Sequence, residues 1–339
     1  MNDPRVVAIA VVHGSRWNML EKVLEATLKD SRVMNFIIVD NLCSDGLKMD
    51  SYASGFEDRI IILRQEKNIG YSGAIAKGLE KARNIDCDYV FLLDDDSVPE
   101  DGFLDFFINN LKLFKDKKII LSANRANISA YETFFHTQPK INTIVSGTTF
   151  EVFSLKKLIN FFKILNILPT KVKKGDFIPV LPSEAFVTGG SFIPIEAVRQ
   201  APLPDPNLFM YGEDLEYSWG IKRLGYKSYV CYRPILRDLD LTFGNETHSH
   251  IIDLFSKTTP DYKVYLRLRN TVIISKRNTK QNQFVFLINV IFWTIGLFIV
   301  GLLKAKTLDD YQKRVKIIYN ATLNGYKGIT EIPKNIKTP

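Results

Sequence analysis

Short runs of aliphatic and β-branched residues recur along the first hundred positions, at Val6 to Val12, Phe36 to Val39, Ile60 to Leu63 and Tyr89 to Leu93, each bounded by polar or turn-forming residues. Such runs predict strands. In the first gap Leu20, Val23, Leu24 and Leu28 fall at spacings of three and four, and in the third Ala74, Ile75, Leu79 and Ala82 do the same, with Ser72 as the N-cap. Those spacings predict helices. Strand and helix in alternation imply an α/β fold with a mostly parallel central sheet and helices on both faces, because parallel pairing requires crossover connections. A third helix is expected over GEDLEYSWGIKRLG, where Leu215, Trp219 and Leu224 line one side and Gly225 supplies the stop.

Two later stretches break the alternation. Leu155, Leu158, Ile159, Phe162 and Leu165 recur at helical spacing opposite Lys156, Lys157 and Lys163, a basic amphipathic pattern that usually packs on a core. Phe284 to Leu303 is a twenty-residue apolar run interrupted only by Asn289 and Thr294, long enough to cross a bilayer. Lys276, Arg277 and Lys280 precede it and Lys304 and Lys306 follow, so charge sets no orientation. A helix lying on an anionic membrane surface, a single span and a buried core helix all fit that pattern. The chain then divides into three stretches, 1–121, 122–261 and 262–339, the last a basic helical extension expected to associate with a membrane.

Charge sharpens this division. The net +8 is confined to the end: Tyr262 to Pro339 carries an excess of +11, leaving −3 on the first 261 residues. A nucleic-acid protein would spread its basic charge over a working surface, so nucleic acid is not an expected partner. Composition, with 46% hydrophobic and 12% aromatic residues, is that of a folded chain and excludes disorder. Cys43, Cys87 and Cys231 are odd in number and far apart, which fits a reducing compartment. The start has no basic region ahead of a long apolar stretch, so the expected location is cytoplasmic, at the inner face of the cell membrane.

In a parallel sheet, ligands gather beyond the carboxyl ends of the strands. Four polar segments converge there: VHGSR with Val12, Gly14 and Arg16; DNLCSDG with Asp40, Asn41 and Asp45; RQEKNIGYSG with Arg64, Asn68, Gly70 and Gly73; and Asp94, Asp95 and Asp96. Three adjacent carboxylates at a strand end repel one another, and a hard cation such as Mg²⁺ or Mn²⁺ relieves this while taking other oxygens from phosphate. An acidic turn capping a helix near Pro99 to Phe107 is the plainer alternative. Asp40 suits a hydrogen bond from a pyrimidine imide or a ribose, and equally an Asx turn. Glu213 and Asp214 open the third helix, where its dipole keeps a carboxylate ionised and able to act as a base. Gly189 and Gly190 allow close backbone approach to a sugar or diphosphate, and a tight turn before a strand explains them equally well.

Together, VVAIAVVHGSRWNMLEKVLEATL, FIIVDNLCSDG, RQEKNIGYSGAIAKGL, YVFLLDDDSVPED, FVTGGSFIPIEAV and LFMYGEDLEYSWGIKRLGYK resemble the family 2 glycosyltransferases of GT-A fold, especially the bacterial rhamnosyl- and galactofuranosyltransferases of surface polysaccharide synthesis. The resemblance runs from about Val6 to Arg277. It implies that Asp40 reads the nucleobase, Asp94 contacts ribose or metal, Asp96 binds the metal and Asp214 is the catalytic base. A histidine joins the metal in that family, which points to His248, with His250, Asp238 and Asp240 as alternatives. Gly189, Gly190, Glu213 and Trp219 would face the sugar or acceptor. Lys77 and Gly220 depart from the family pattern, where Asn and Arg are usual.

The implied activity is inverting transfer of a sugar from a pyrimidine-diphosphate donor, of the UDP-galactofuranose or dTDP-rhamnose class, to a polyprenyl-linked or glycan acceptor at a membrane surface. A catalytically silent nucleotide-sugar-binding module of the same fold is the alternative. Nucleotidyl transfer fits less well, because HGSR is a poor triphosphate loop.

Overall fold

In the computed structural model the described residues are 3–125, 135, 179–240, 259–278, 282–305, 307–334, 336 and 338. They fall into two compact units. One holds residues up to 135, 179–209 and 213–240; the other holds 210–212 and everything from 259 onward. The expectations for Leu155 to Leu165, His248 and His250 lie outside the described residues.

The first unit is built on β1 (Val6–Gly14), β2 (Val33–Cys43), β3 (Ile60–Arg64), β4 (Tyr89–Asp94), β5 (Ser97–Pro99), β6 (Ile119–Arg125), β7 (Val180–Ser183), β8 (Ser191–Pro194) and β9 (Lys227–Asp238). Its helices are α1 (Trp17–Leu28), α2 (Gly46–Ala53), α3 (Gly70–Ala82), α4 (Phe103–Leu111), α5 (Ile195–Gln200) and α6 (Glu213–Arg223). The strands form one sheet in the order β3-β2-β1-β4-β8-β6-β9-β5, with β7 also on β9. β3, β2, β1 and β4 are parallel. β8 runs antiparallel to both β4 and β6, so β6 points the same way as β4, and β9 is parallel to β6.

β1 is buried on both sides. Val6, Ala8, Ala10 and Val12 pack toward α1 and α4, while Val7, Ile9 and Val11 pack toward α3, α5 and α6. That two-sided burial is why the run lacks the polar alternation of a half-exposed strand. All four expected strands form, and the three crossover helices between them are α1, α2 and α3.

Three local expectations are corrected. Ser72 does not cap α3; the helix begins at Gly70, and Ser72, fully buried, donates its hydroxyl to the Asp205 carbonyl at 2.6 Å. The earlier start rests on Gly70, whose φ of +74° turns the chain and whose missing Cβ leaves room for the Phe209 carbonyl. The helix expected near Pro99 to Phe107 starts at Phe103, because Ser97–Pro99 pairs with β9 instead. In α6 the buried side chains are Glu213, Tyr217, Ser218 and Ile221, whereas Leu215 and Trp219 are only half-buried. Tyr217 and Ile221 point at the sheet and take the place expected of Leu215 and Trp219. The stop at Gly225 is as expected, with φ +89°.

The second unit contains α7 (Asp261–Asn278), α8 (Gln283–Lys304) and α9 (Leu308–Lys327), with α9 packed on both of the others. Gly325 of α9 sits close against the Arg269 carbonyl and Val272 of α7. Arg269 is fully buried and donates to Asn270 and to the Thr330 carbonyl.

Candidate active site

Parallel register carries the first group of polar residues to one edge. Val11 stands opposite Asp94, Val12 opposite Asp40, and Asp40 opposite Arg64, forming a row across β4, β1, β2 and β3 at their carboxyl ends. Asp40 is buried, and its two oxygens accept from the Cys43 amide at 2.7 Å and from Arg64 at 3.3 Å. The first contact is the Asx-type turn. Asn41 and Asn68 tie neighbouring loops together: Asn41 donates to Asn68 Oδ1 at 3.0 Å and accepts from the Ile69 amide, while Asn68 Oδ1 also accepts from the Gly70 amide. His13 joins through Nδ1 to the Asn41 carbonyl at 2.9 Å. Gly14, with φ +65°, accepts from the Ser44 amide. Asp45 pairs with Lys48, and Gly73 lies within α3.

Five carboxylates gather beyond the end of β4, and two guanidiniums divide them. Arg16 places Nε on both oxygens of Asp95 at 3.0 and 2.9 Å, Nη2 on Asp96 at 2.7 Å and Nη1 on Asp240 at 3.0 Å. Arg125, at the end of β6, donates to Asp94 at 2.9 Å and grips Asp238 with Nη2 at 2.7 Å and Nε at 3.2 Å. Negative charge stays in excess. Burial pushes the Asp95 carboxyl up to about 7 even against Arg16, and burial together with Asp94 raises Asp96.

Arg125 was not legible as a site residue, although it ends the apolar run IILSA as Asp94 ends YVFLL. Only the reversed strand β8, inserted between β4 and β6, brings it to the same edge. Tyr71 and Thr188 were also missed. The Tyr71 hydroxyl lies within hydrogen-bond distance of both Asp94, at 3.4 Å, and Thr188 Oγ1, at 3.1 Å. Gly189 has a steric reason to be glycine: a Cβ there would overlap the Asp94 carboxylate and come within 2.6 Å of Arg125. Gly190 donates to the Leu92 carbonyl and accepts from the Ala123 amide, stitching β4 to β6.

Glu213 and Asp214 begin α6 as expected, but the helix dipole does not keep them as readily ionised as expected, because burial outweighs it. Both hold their protons above the ordinary carboxylate range, chiefly through burial; for Glu213 the neighbouring Asp214 adds to this, and both feel the charge of Asp94. Glu213 Oε2 is buried without a hydrogen-bond partner. Trp219 lies about one and a half turns further along α6. The two departures from the family pattern sit away from these carboxylates: Lys77 is exposed on α3 and pairs with Glu80, and Gly220 is buried against Pro202.

The donor set suits a hard divalent cation. Asp94 and Asp96, with Asp238 and Asp240 beside them, offer only carboxylate oxygens, and the charge excess favours a cation there. Among the described residues no three His, Cys, Asp or Glu side chains converge as a ready cage.

The model for glycosyl transferase family 2 matches residues 7–169. The match covers just under half of the chain. The matched segment includes β1 to β4, the row of strand-end residues and the Asp94–Asp96 cluster. No curated protein sequence matches the chain. Among solved structures, GalNAc-T7 with UDP, GalNAc and Mn²⁺ superposes with a TM-score of 0.53 at 15% identity over 81% of this chain and 48% of its own. A mannosyltransferase from Pyrobaculum calidifontis in complex with GDP-Man and Mn²⁺ gives 0.52 at 10% identity, covering 96% and 87%. S. aureus TarS, residues 1–349, gives 0.51 at 10% identity, covering 96% and 82%. The chain therefore spans about half the length of the first of these and most of the other two. At such identities the likeness establishes the fold, which is GT-A-like.

Proposed function

We propose that this chain is an inverting, metal-dependent glycosyltransferase that uses a pyrimidine-diphosphate sugar of the UDP-galactofuranose or dTDP-rhamnose class. The acceptor is a polyprenyl-linked or glycan chain of surface polysaccharide synthesis, O-antigen or capsule, met at the cytoplasmic face of a membrane. The observation that carries the reading is the strand-end geometry: Asp40, Arg64 and Asp94 stand in one row at the carboxyl ends of β2, β3 and β4, and Arg16 and Arg125 gather Asp94, Asp95, Asp96, Asp238 and Asp240 beyond it. In this reading the diphosphate binds at that edge and the base comes from the start of α6. Solved structures of this fold with UDP or GDP-Man and Mn²⁺ support it.

In this reading Asp40 and Arg64 hold the nucleoside, and Arg16 turns toward the diphosphate as its carboxylate partners take other work. Asp94 and Asp96 would hold Mg²⁺ or Mn²⁺, which supplies charge stabilisation to the departing diphosphate. Asp214 takes the proton of the acceptor hydroxyl as its oxygen attacks the anomeric carbon. Glu213 stays protonated beside it, with one oxygen buried and without a hydrogen-bond partner. His248 lies outside the described residues, and Asp238 and Asp240 are the described alternatives. Gly189 keeps the Asp94–Arg125 pair unobstructed.

The test is a screen of nucleotide sugars against a lipid-linked acceptor, with product stereochemistry read by NMR. Transfer with inversion from a pyrimidine-diphosphate donor is the expected result. Nucleotide binding with no turnover on the whole panel would instead favour a silent binding module.

A further inference from the structure

The twenty-residue apolar run forms α8, and the described side chains of that helix reverse the usual arrangement of a soluble protein. Its two polar interruptions are both buried: Asn289 faces inward, and Thr294 donates its hydroxyl to the Val290 carbonyl at 2.7 Å. Phe286, Val290 and Leu297 share that inner side, with Phe286 and Val290 packed on Val272 of α7 and on Tyr326 of α9. The outer side is Phe284, Val285, Ile291, Phe292, Ile295, Ile299 and Leu302, each between 45% and 68% exposed. Fewer than a third of the residues from Gln283 to Leu302 are buried. Polar groups inside and a continuous apolar stripe outside suit contact with hydrocarbon rather than water.

We infer that α8 docks this unit on an anionic lipid bilayer with the helix lying in the plane of the surface. A spanning orientation conflicts with its neighbour. Only Ala305 to Thr307 separate α8 from α9, and Tyr319, Thr322, Leu323 and Tyr326 of α9 line a 240 Å³ apolar groove with Leu287, Val290 and Thr294 of α8. Carried through a bilayer, α8 would draw along a helix bearing Asp309, Asp310, Lys313, Arg314 and Lys316, charges that hydrocarbon does not accept. A buried core helix is excluded by the exposed stripe.

Charge complementarity identifies the surface. The +11 excess of residues 262–339 lies on the unit that carries the stripe. Lys276, at the end of α7, sits 4.5 Å over the ring of Tyr326, so a cation stands beside the apolar groove where a lipid phosphate and its chain would part. This deepens the membrane part of the proposed function by naming the contact surface, and it does not depend on which sugar is transferred.

The experiment uses the full chain with phosphatidylcholine–phosphatidylglycerol vesicles and with pure phosphatidylcholine vesicles. Sedimentation should show binding at least about tenfold weaker to the neutral vesicles. Tryptophan is then placed at the two ends and the middle of the stripe, as Phe284→Trp, Ile295→Trp and Leu302→Trp, and its quenching is read against the wild type with lipids brominated near the headgroup or near the bilayer midplane. Equal, shallow quenching at all three positions is the expected result. Deepest quenching at Ile295→Trp means a span and overturns the in-plane assignment. Equal binding to neutral vesicles overturns the anionic surface. Absence of vesicle binding, with the protein dimeric in solution, means that a second copy covers the stripe and overturns the proposal. The double change Ile295→Glu with Ile299→Glu should abolish sedimentation; its retention has the same force. UDP titration of the same samples reports the transferase reading separately, since the candidate nucleotide-binding residues lie in the other unit.

Discussion

The sheet has two halves that reach the same edge by different routes. β3, β2, β1 and β4 are laid down in sequence by local crossovers, so each strand end delivers its polar residue in the order of the chain. β8, β6, β9 and β5 mix directions and pair over long separations, and the segment joining β6 to β7 exceeds fifty residues. The first half supplies Asp40, Arg64 and Asp94; the second supplies Arg125, Gly189, Asp238 and, through α6, the Glu213–Asp214 pair. Evolutionary family signals and strand-end logic find the first half readily. The two halves are nevertheless joined at that edge, where Arg125 couples Asp94 of one half to Asp238 of the other.

The comparison breaks most cleanly at Asp214. Asp214→Asn should lower kcat by about 10²–10⁴-fold, the ordinary share of a positioned base, while UDP affinity stays unchanged. Near-normal turnover would confine the chemistry to the first half. The next effect falls on the coupling itself. Arg125→Met leaves Asp94 and Asp238 without their shared cation, and since Arg125 and Asp238 are mostly buried, a loss of about 3 kcal/mol in urea unfolding is expected. A loss below about 0.5 kcal/mol would mean that the pairs are screened as surface ion pairs are.

Gly189→Ala tests the same junction by volume instead of charge. Its Cβ would displace the Asp94 carboxylate, at a cost of about 1–3 kcal/mol in stability and with weaker metal-dependent nucleotide binding. Unchanged melting and binding would show that the junction yields easily.

The smallest effect is on the pH dependence of stability. Glu213 has a folded-state proton affinity raised above its unfolded value, so the folded state binds the proton more tightly and its stability falls as pH rises through that interval. Glu213→Gln removes a buried carboxyl with an unpartnered oxygen. It should therefore stabilise the fold at alkaline pH by about 1–2 kcal/mol, with the gain shrinking toward pH 4. Thermal melts across pH check the sign. For activity, the raised affinity of Asp214 places the acid limb of kcat/KM above the ordinary carboxylate range.

Legibility in the sequence follows the same division. Val6–Gly14 and Tyr89–Asp94 read as strands because their apolar runs are nearly continuous, and Asp94 to Asp96 read as a site because they follow such a run directly. Gly189 was legible only as a turn or a close approach; the object approached, the Asp94–Arg125 pair, required the placement of β6. Ser72 misled because the Gly70 turn starts α3 three residues early, and Trp219 misled because α6 buries Tyr217 and Ile221 instead. In α8 the sequence showed a long apolar run but not its direction, since burial of Asn289 and Thr294 is set by α7 and α9. Local periodicity reveals elements, whereas a site that joins distant strands is fixed by pairing.

The central claim is that the two halves form one metal-assisted nucleotide site. Calorimetric titration of UDP into the full chain, with and without Mn²⁺, tests it most directly when repeated on Asp96→Asn. UDP binding that strengthens with Mn²⁺ in the wild type and loses that dependence in Asp96→Asn is the predicted result. Binding indifferent to Mn²⁺, or equally Mn²⁺-dependent in both proteins, would contradict the account.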